Sequence, residues 1–311
     1  MKTTRKSNLI QIGILAVLGL AVVLSLVVPQ LFRGRRDPRL LSLSVMLRDT
    51  DSSGWNAARQ GMEQAADELG AELRFLTLTT AGDGAEQEAL LLREIEGGAA
   101  ALVVVPADPE NLSAGLERWM PVCPVVTLES PMEGAAGTVS PDNAALGGQL
   151  ARALLRDWDG GEALLLDTAG RCAGVTDRLE AAEAVLLAAG VPVRRAEELP
   201  EEAPPPWVMA FEPSATQWTA ERKEAESWDC ALYGVGTATA ITAQLERGGI
   251  AAMAAWSDYA AGYLAVRRAV EAARGEEGEL TPLPFSILRR EDIYAPENQK
   301  LLFPIMSSSS R

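Results

Sequence analysis

Apolar positions follow three patterns along this chain. The first is a near-continuous apolar run from Leu9 to Phe32, interrupted by isolated Gln11, Ser25 and Gln30. A helix of that length spans roughly 36 Å, enough to cross a hydrocarbon core of about 30 Å. Gly19-Leu20-Ala21 has the spacing of a signal-peptide cleavage site. Cutting there would leave a greasy Val-Val-Leu-Ser-Leu-Val-Val end, so the run is expected to stay as a signal anchor. It would divide a short cytoplasmic end, 1–8, from everything that follows. Lys2, Arg5 and Lys6 before the run are nearly balanced by Arg33, Arg35, Arg36 and Arg39 after it, so charge alone does not set the orientation.

Beyond the anchor, short apolar strands alternate with amphipathic helices. Strands are expected at Leu41–Leu47, Glu72–Leu78, Ala100–Val105 and Val125–Leu128, then at Glu162–Leu166, Val191–Arg195, Trp207–Phe211, Ala231–Val235, Ala251–Ala254 and Pro284–Leu288. Helices are expected at Trp55–Leu69, Gln87–Glu96, from about Asn111, and at Asn143–Asp157, Val175–Ala189, Ala238–Arg247 and Asp258–Arg274, with a polar helix between the strands at 207 and 231. Gly70 and Gly97-Gly98 sit where helix C-termini favour glycine. The acidic, proline-rich stretch Glu197–Pro206 reads as a loop, and 306–311 as a frayed tail. Alternation of this kind implies parallel sheets covered by helices, and about ten strands suit two sheets better than one. Ligands in such folds sit beyond the carboxyl ends of the strands. The loops to inspect are therefore 48–54, 106–110, 129–132, 167–176, 212–214 and 236–237.

Composition narrows the function. Residues 1–36 hold six of the 28 basic residues and no acidic ones, which leaves 22 basic against 43 acidic, a net of −21. A domain of that charge repels nucleic acid and anionic headgroups. The chain has no histidine, which excludes Ser-His-Asp and Cys-His catalysis and every His-ligated metal site. Cys123, Cys172 and Cys230 are widely spaced and odd in number, so they give no disulfide framework and read as small buried residues. Gly234-Val235-Gly236 follows a strand but lacks the third glycine of a dinucleotide site. Neither an enzyme nor a cofactor or metal is expected.

Gln60-Gly61-Met62-Glu63-Gln64-Ala65-Ala66, Val104-Val105-Pro106-Ala107-Asp108, Pro124-Val125-Val126-Thr127-Leu128-Glu129, Asp142-Asn143 with Gly147-Gly148, Arg178, Gly249-Ile250-Ala251-Ala252 and Gly262-Tyr263-Leu264-Ala265-Val266 stand in this order along the chain. Together they resemble type 1 periplasmic binding proteins, the ribose- and galactose-binding group, whose fold is shared by the sensor domain of the lac repressor family. The ending Arg290-Glu291-Asp292-Ile293-Tyr294 is similar to the tails of Gram-positive solute-binding proteins. The likeness runs over essentially all of 40–305. It implies an α/β, two-lobed periplasmic-binding-protein-like I fold: two doubly wound parallel sheets joined by a three-strand hinge, preceded by one transmembrane helix. The crossings would fall near Pro141, Ala255 and Pro284. Lobe one would comprise 40–141 plus 256–283, and lobe two 142–255 plus 284–305.

The resemblance also nominates site residues. Trp55 matches an aromatic in the first loop and reads either as a stacking platform or as a helix-face core residue beside Ala58 and Met62. Asp51 and Ser52 match polar positions before it, or form a plain turn. Glu129 matches an acidic residue after the fourth strand that accepts ligand hydroxyls, against the alternative of a solvated loop carboxylate. Trp256 falls at the second crossing, to stack or to pack the hinge. Four positions depart from the pattern: Ser130 stands for a basic residue, Thr176 for a ligand-binding arginine, Gly236 for an aspartate, and Pro213 or Ser214 for an amide. Arg178 matches a structural arginine and reads as an ion-pair or capping residue.

The implied function is a membrane-anchored extracellular or periplasmic solute-binding protein. It closes on a small polar, sugar-like ligand for an ABC permease, or reports that ligand to a membrane sensor. The depleted second lobe leaves open a partner-binding module that has lost sugar binding. A lac-type regulator would need a basic helix-turn-helix headpiece where this chain has its apolar run.

Overall fold

The structure is a computed structural model that describes residues 40–50, 53–168 and 170–302. The expected anchor Leu9–Phe32, the candidates Asp51 and Ser52, and the tail 306–311 lie outside the described residues. Among the described residues no helix is long and apolar enough to cross a membrane.

Eleven strands among the described residues form two sheets. In the first, β1 (Leu41–Met46), β2 (Ala71–Leu76), β3 (Ala101–Val104), β4 (Val125–Leu128) and β5 (Gly137–Val139) run in the order β2-β1-β3-β4-β5, all parallel. In the second, β6 (Ala163–Leu166), β7 (Val193–Ala196), β8 (Trp207–Ala210), β9 (Ala231–Val235), β10 (Ala252–Trp256) and β11 (Phe285–Leu288) run in the order β11-β10-β9-β8-β6-β7. The central strands β3, β4, β6 and β8 are buried at every position, as continuous apolar runs covered on both faces should be.

Three differences from the sequence expectation have simple causes. The second sheet is not wholly parallel, because β11 pairs antiparallel with β10 at Met253–Leu288 through Trp256–Phe285. Strand β5 was not expected, since three residues beginning at glycine carry no period. Strand β7 begins only at Val193, beyond Pro192, which has no N–H for a ladder.

Four of the helices start on a side-chain cap: Asp83, Asp108, Asp142 and Ser257 accept from Glu86, Asn111, Ala145 and Ala260 backbone N–H groups. The helix Asp258–Ala273 follows β10 of the second sheet in sequence, yet it packs on β3, β4 and β5 of the first and against the helix Asn56–Leu69. The two helices approach until a Cβ on Gly61 would lie 1.9 Å from the Tyr259 carbonyl oxygen, and one on Gly262 would lie 1.9 Å from that of Ala58. Both positions therefore require glycine. The helix Asn143–Asp157 packs instead on the helix Ala173–Ala188 and on β9, β10 and β11.

The chain thus passes between sheets after β5, after β10 and before β11. These passages lie side by side: Pro141 bridges Leu283, and Trp256 pairs with Phe285 in the next register. The carboxyl ends of β1, β4, β8, β9 and β10 converge beside them.

Candidate functional site

The cleft between the sheets has a floor and a chamber. The floor is built around Glu129, the residue after β4, whose φ is +66°. Left-handed backbone is uncommon for a residue with a side chain and costs on the order of 1–3 kcal/mol. The turn is held from both sides. Ser130 N–H donates to the Leu128 carbonyl at 2.7 Å, and Glu129 N–H donates to Val139 at 3.1 Å. The Asn143 side-chain amide donates to the Glu129 carbonyl at 2.8 Å.

The geometry aims the Glu129 carboxylate into a buried ion-pair cluster. Arg48, just past β1, donates through Nη1 to Glu129 Oε2 and through Nη2 to Glu212 Oε2 at 2.9 Å. Arg178, fully buried in the helix Ala173–Ala188, donates through Nη1 to Glu129 Oε1 at 3.0 Å and to the Phe211 carbonyl at 2.9 Å. Its Nε donates to Asn143 Oδ1 at 2.8 Å, its guanidinium lies 5.0 Å from the Trp256 ring centroid, and its Nη2 has no partner among the described residues. The Thr168 hydroxyl donates to the second oxygen of Glu212. Burial pushes the Glu129 carboxyl upward, but Arg48 and Arg178 outweigh it and hold it below the usual carboxylate range. Burial likewise pulls Arg48 down, and Glu129, Cys172, Glu212 and Asp49 more than restore it, so it stays charged.

This cluster links the two sheets directly. Arg48 and Glu129 come from the ends of β1 and β4 in the first sheet; Glu212 follows β8 and Arg178 lies in a helix covering the second. A third link, Arg171 to Asp108 at 2.8 Å, closes the rim, and the Arg171 side chain there is 72% exposed.

Beside the floor lies a chamber of about 300 Å³. Trp55 and Trp256 line it together with small apolar residues, among them Ala58, Ala261 and Pro213. Its polar groups are Asp49, Thr50, Ser214, Gln217, Thr237 and Asp258, with Arg48 and Glu129 at the edge of the floor. Trp55 Nε1 donates to Asp49 Oδ2 at 2.8 Å, and the Thr237 hydroxyl donates to Asp258 Oδ2. Burial drives the Asp258 carboxyl up to about 6, against the pull of the Thr237 hydrogen bond, and nearby Glu129 adds to the rise.

Of the residues nominated from the sequence, the chamber brings together Trp55, Glu129, Ser214 and Trp256. Trp55 both lines the chamber and packs against the apolar core. Three others do not line it. Ser130 is fully buried and accepts from Gly174 N–H at 2.9 Å while contacting Cys172 Sγ at 3.0 Å. Thr176 bonds back to the Cys172 carbonyl at 3.3 Å within its own helix. Gly236 has φ +121° and no side chain to offer, and a Cβ there would lie 2.7 Å from Ile241. Arg48, Asp49, Gln217, Thr237 and Asp258 were not nominated. Arg48, Asp49 and Thr237 lie in loops marked for inspection at strand ends, whereas Asp258 looked like an ordinary first-turn helix residue.

A cleft between two α/β lobes, lined at strand ends and bridged by adjacent crossings, defines a two-lobed binding protein. Residues 43–203, just over half of the 311-residue chain, match the model of the periplasmic binding protein domain, and the chain belongs to that family. That family is one of binding proteins rather than enzymes. Among solved structures, the chain is similar to a carbohydrate transporter solute-binding protein from Agrobacterium radiobacter in complex with D-arabinose, at TM-score 0.75 and 15% identity over 86% of this chain and 100% of that one. It is also similar to the periplasmic component of a sugar transport system from Hahella chejuensis, at TM-score 0.71 and 22% identity over 80% of this chain and 99% of that one. A third is GanP, a glucose-galactose binding protein from Geobacillus stearothermophilus, at TM-score 0.70 and 19% identity over 82% and 99%. At these identities the likeness establishes the fold. No curated protein sequence matches the chain.

Proposed function

We propose that this protein is a membrane-anchored extracellular solute-binding protein that closes on a small, sugar-like ligand and presents it to an ABC permease. The apolar run Leu9–Phe32 is the retained anchor. The lobes are 40–141 with 256–283, and 142–255 with 284–305. The observation that carries the reading is the chamber between Trp55 and Trp256, which sits at strand ends and offers indole faces beside carboxylate, hydroxyl and amide groups. Indole faces give apolar area at low entropic cost, and the polar groups fix orientation. The sugars named with the similar solved structures support the ligand class. Isothermal titration of the full chain, in detergent, against a monosaccharide panel tests it. One-site binding with a smaller radius of gyration on saturation is expected; no binding and no compaction across the panel would overturn it.

The ion-pair floor favours a second reading, a sensing or partner-binding module of the same fold that has lost sugar binding. Glu129, the natural hydroxyl acceptor, already satisfies two guanidiniums. On that reading the full chain captures a membrane partner's extracellular domain while remaining indifferent to sugars.

A further inference from the structure

The charge of the chamber defines its ligand further, on the reading that a sugar-like molecule binds there. The floor is balanced within itself, since Arg48 and Arg178 stand against Glu129 and Glu212. Asp49 lies near Arg48 and Asp258 near Arg178, but neither forms an ion pair with them, so the two aspartates stand in excess of the cations. Both line the chamber, and their hydrogen bonds come from neutral donors, the Trp55 indole and the Thr237 hydroxyl. Among the described residues no lysine or arginine forms a salt bridge with either one. A neutral polyol can hydrogen-bond these carboxylates but leaves their charge uncompensated, and an anionic sugar meets two like charges in a partly desolvated space. A protonated amine compensates the charge. It also gains from the indole faces, which attract cations. Arg178 already covers Trp256, while no protein cation among the described residues lies over Trp55. The volume, about 300 Å³, is at the small end for ligand pockets and suits a single ring.

We infer that the chamber selects a small polyhydroxylated ligand bearing a protonated amine, an amino sugar, over its neutral and acidic counterparts. The raised Asp258 carboxyl fits this, because Arg178 nearby offsets its charge only in part and no cation among the described residues pairs with it directly. The charged groups facing Asp258 are Glu129 from the end of β4 and Arg178 from the helix Ala173–Ala188, with Arg48 and Asp49 lining the same chamber from the end of β1. Glu129, held low by its two arginines, keeps its charge through the range in which Asp258 titrates.

The test is titration calorimetry on the full chain with glucosamine, glucose and glucuronate, and the corresponding galacto series, at pH 7. The amine should bind at least tenfold more tightly than the neutral sugar, and the acid should not bind. In Asp258→Asn the amine-to-neutral ratio should collapse toward one. Because that variant alters a helix start, the wild type supplies a second readout. Between pH 7 and 5, where a sugar ammonium keeps its proton, affinity for the amine should fall severalfold as Asp258 protonates, while that for the neutral sugar stays within twofold. Equal or tighter binding of the neutral sugar overturns this inference and leaves the solute-binding reading intact. Binding of none of the sugars overturns both.

Discussion

The floor and the chamber of the cleft are built from adjacent residues, yet they use their polar groups in opposite ways. Glu129 and Arg178 on the floor are buried, bonded to each other and bonded to the backbone around them. Among the described residues, Asp49 and Asp258 in the chamber accept from neutral donors and form no ion pair, and an open volume lies beside them. The floor contributes to holding the lobes together. The chamber leaves its charge for something else to meet. Residue type alone does not separate these carboxylates; the partners the protein has already supplied do.

The comparison can be broken most forcefully at Arg178. Replacing it with Met strands Glu129 with one partner and frees Asn143 and the Phe211 carbonyl. The expected loss is about 3–5 kcal/mol, the usual result of removing one member of a buried pair, read by urea unfolding. The same cluster sets the acid limit. Glu129's folded carboxyl lies below its unfolded value, so its contribution is complete above the unfolded pKa, near 4.3, and is lost as pH falls through the lower folded one. Wild-type stability should therefore fall steeply below about pH 4.

Glu212→Gln acts on the link between lobes. It weakens the charge-assisted bond from Arg48, for an expected loss of about 1–3 kcal/mol. Small-angle scattering of the ligand-free variant should show a larger radius of gyration than the wild type. Asp258→Asn should act with the opposite sign. A carboxyl raised from about 3.9 to about 6 binds its proton more tightly folded than unfolded, so the wild type loses stability as pH rises between those values. After allowing for the favourable position of a carboxylate in a helix first turn, the variant should be about 1–2 kcal/mol more stable than wild type at pH 8 and equal to it at pH 4. A stabilising substitution at a binding group is the usual trade between function and stability. The smallest effect belongs to Arg171→Ala. Its partner Asp108 is bonded at the rim by a largely exposed side chain, and the cost should stay below about 0.5 kcal/mol.

Much of the fold was legible because its signals are local. Buried runs such as Ala101–Val104 and Ala163–Leu166 read as central strands, and Gly70 marks a helix end with its φ of +71°. The antiparallel pairing of β11 was not legible, since nothing in Phe285–Leu288 distinguishes strand direction. At the site, Trp55 and Trp256 were nominated through the resemblance, as a first-loop aromatic and an aromatic at the second crossing. Ser130 was nominated by position, but the turn at Glu129 directs its hydroxyl to Gly174 rather than to the chamber. Arg48 and Asp258 were missed because their roles depend on partners 81 and 21 residues away, and no periodicity reports such distances.

The central claim is that ligand capacity resides in the chamber. Its most direct test is a titration comparing wild type with Trp55→Ala, using whichever monosaccharide binds the full chain most tightly. Trp55 is half-buried, so the variant should fold. Loss of the indole face should weaken binding at least tenfold, on the order of 1.4 kcal/mol, with the unfolding midpoint little changed. Undiminished affinity in Trp55→Ala would contradict the account and move the ligand elsewhere in the cleft.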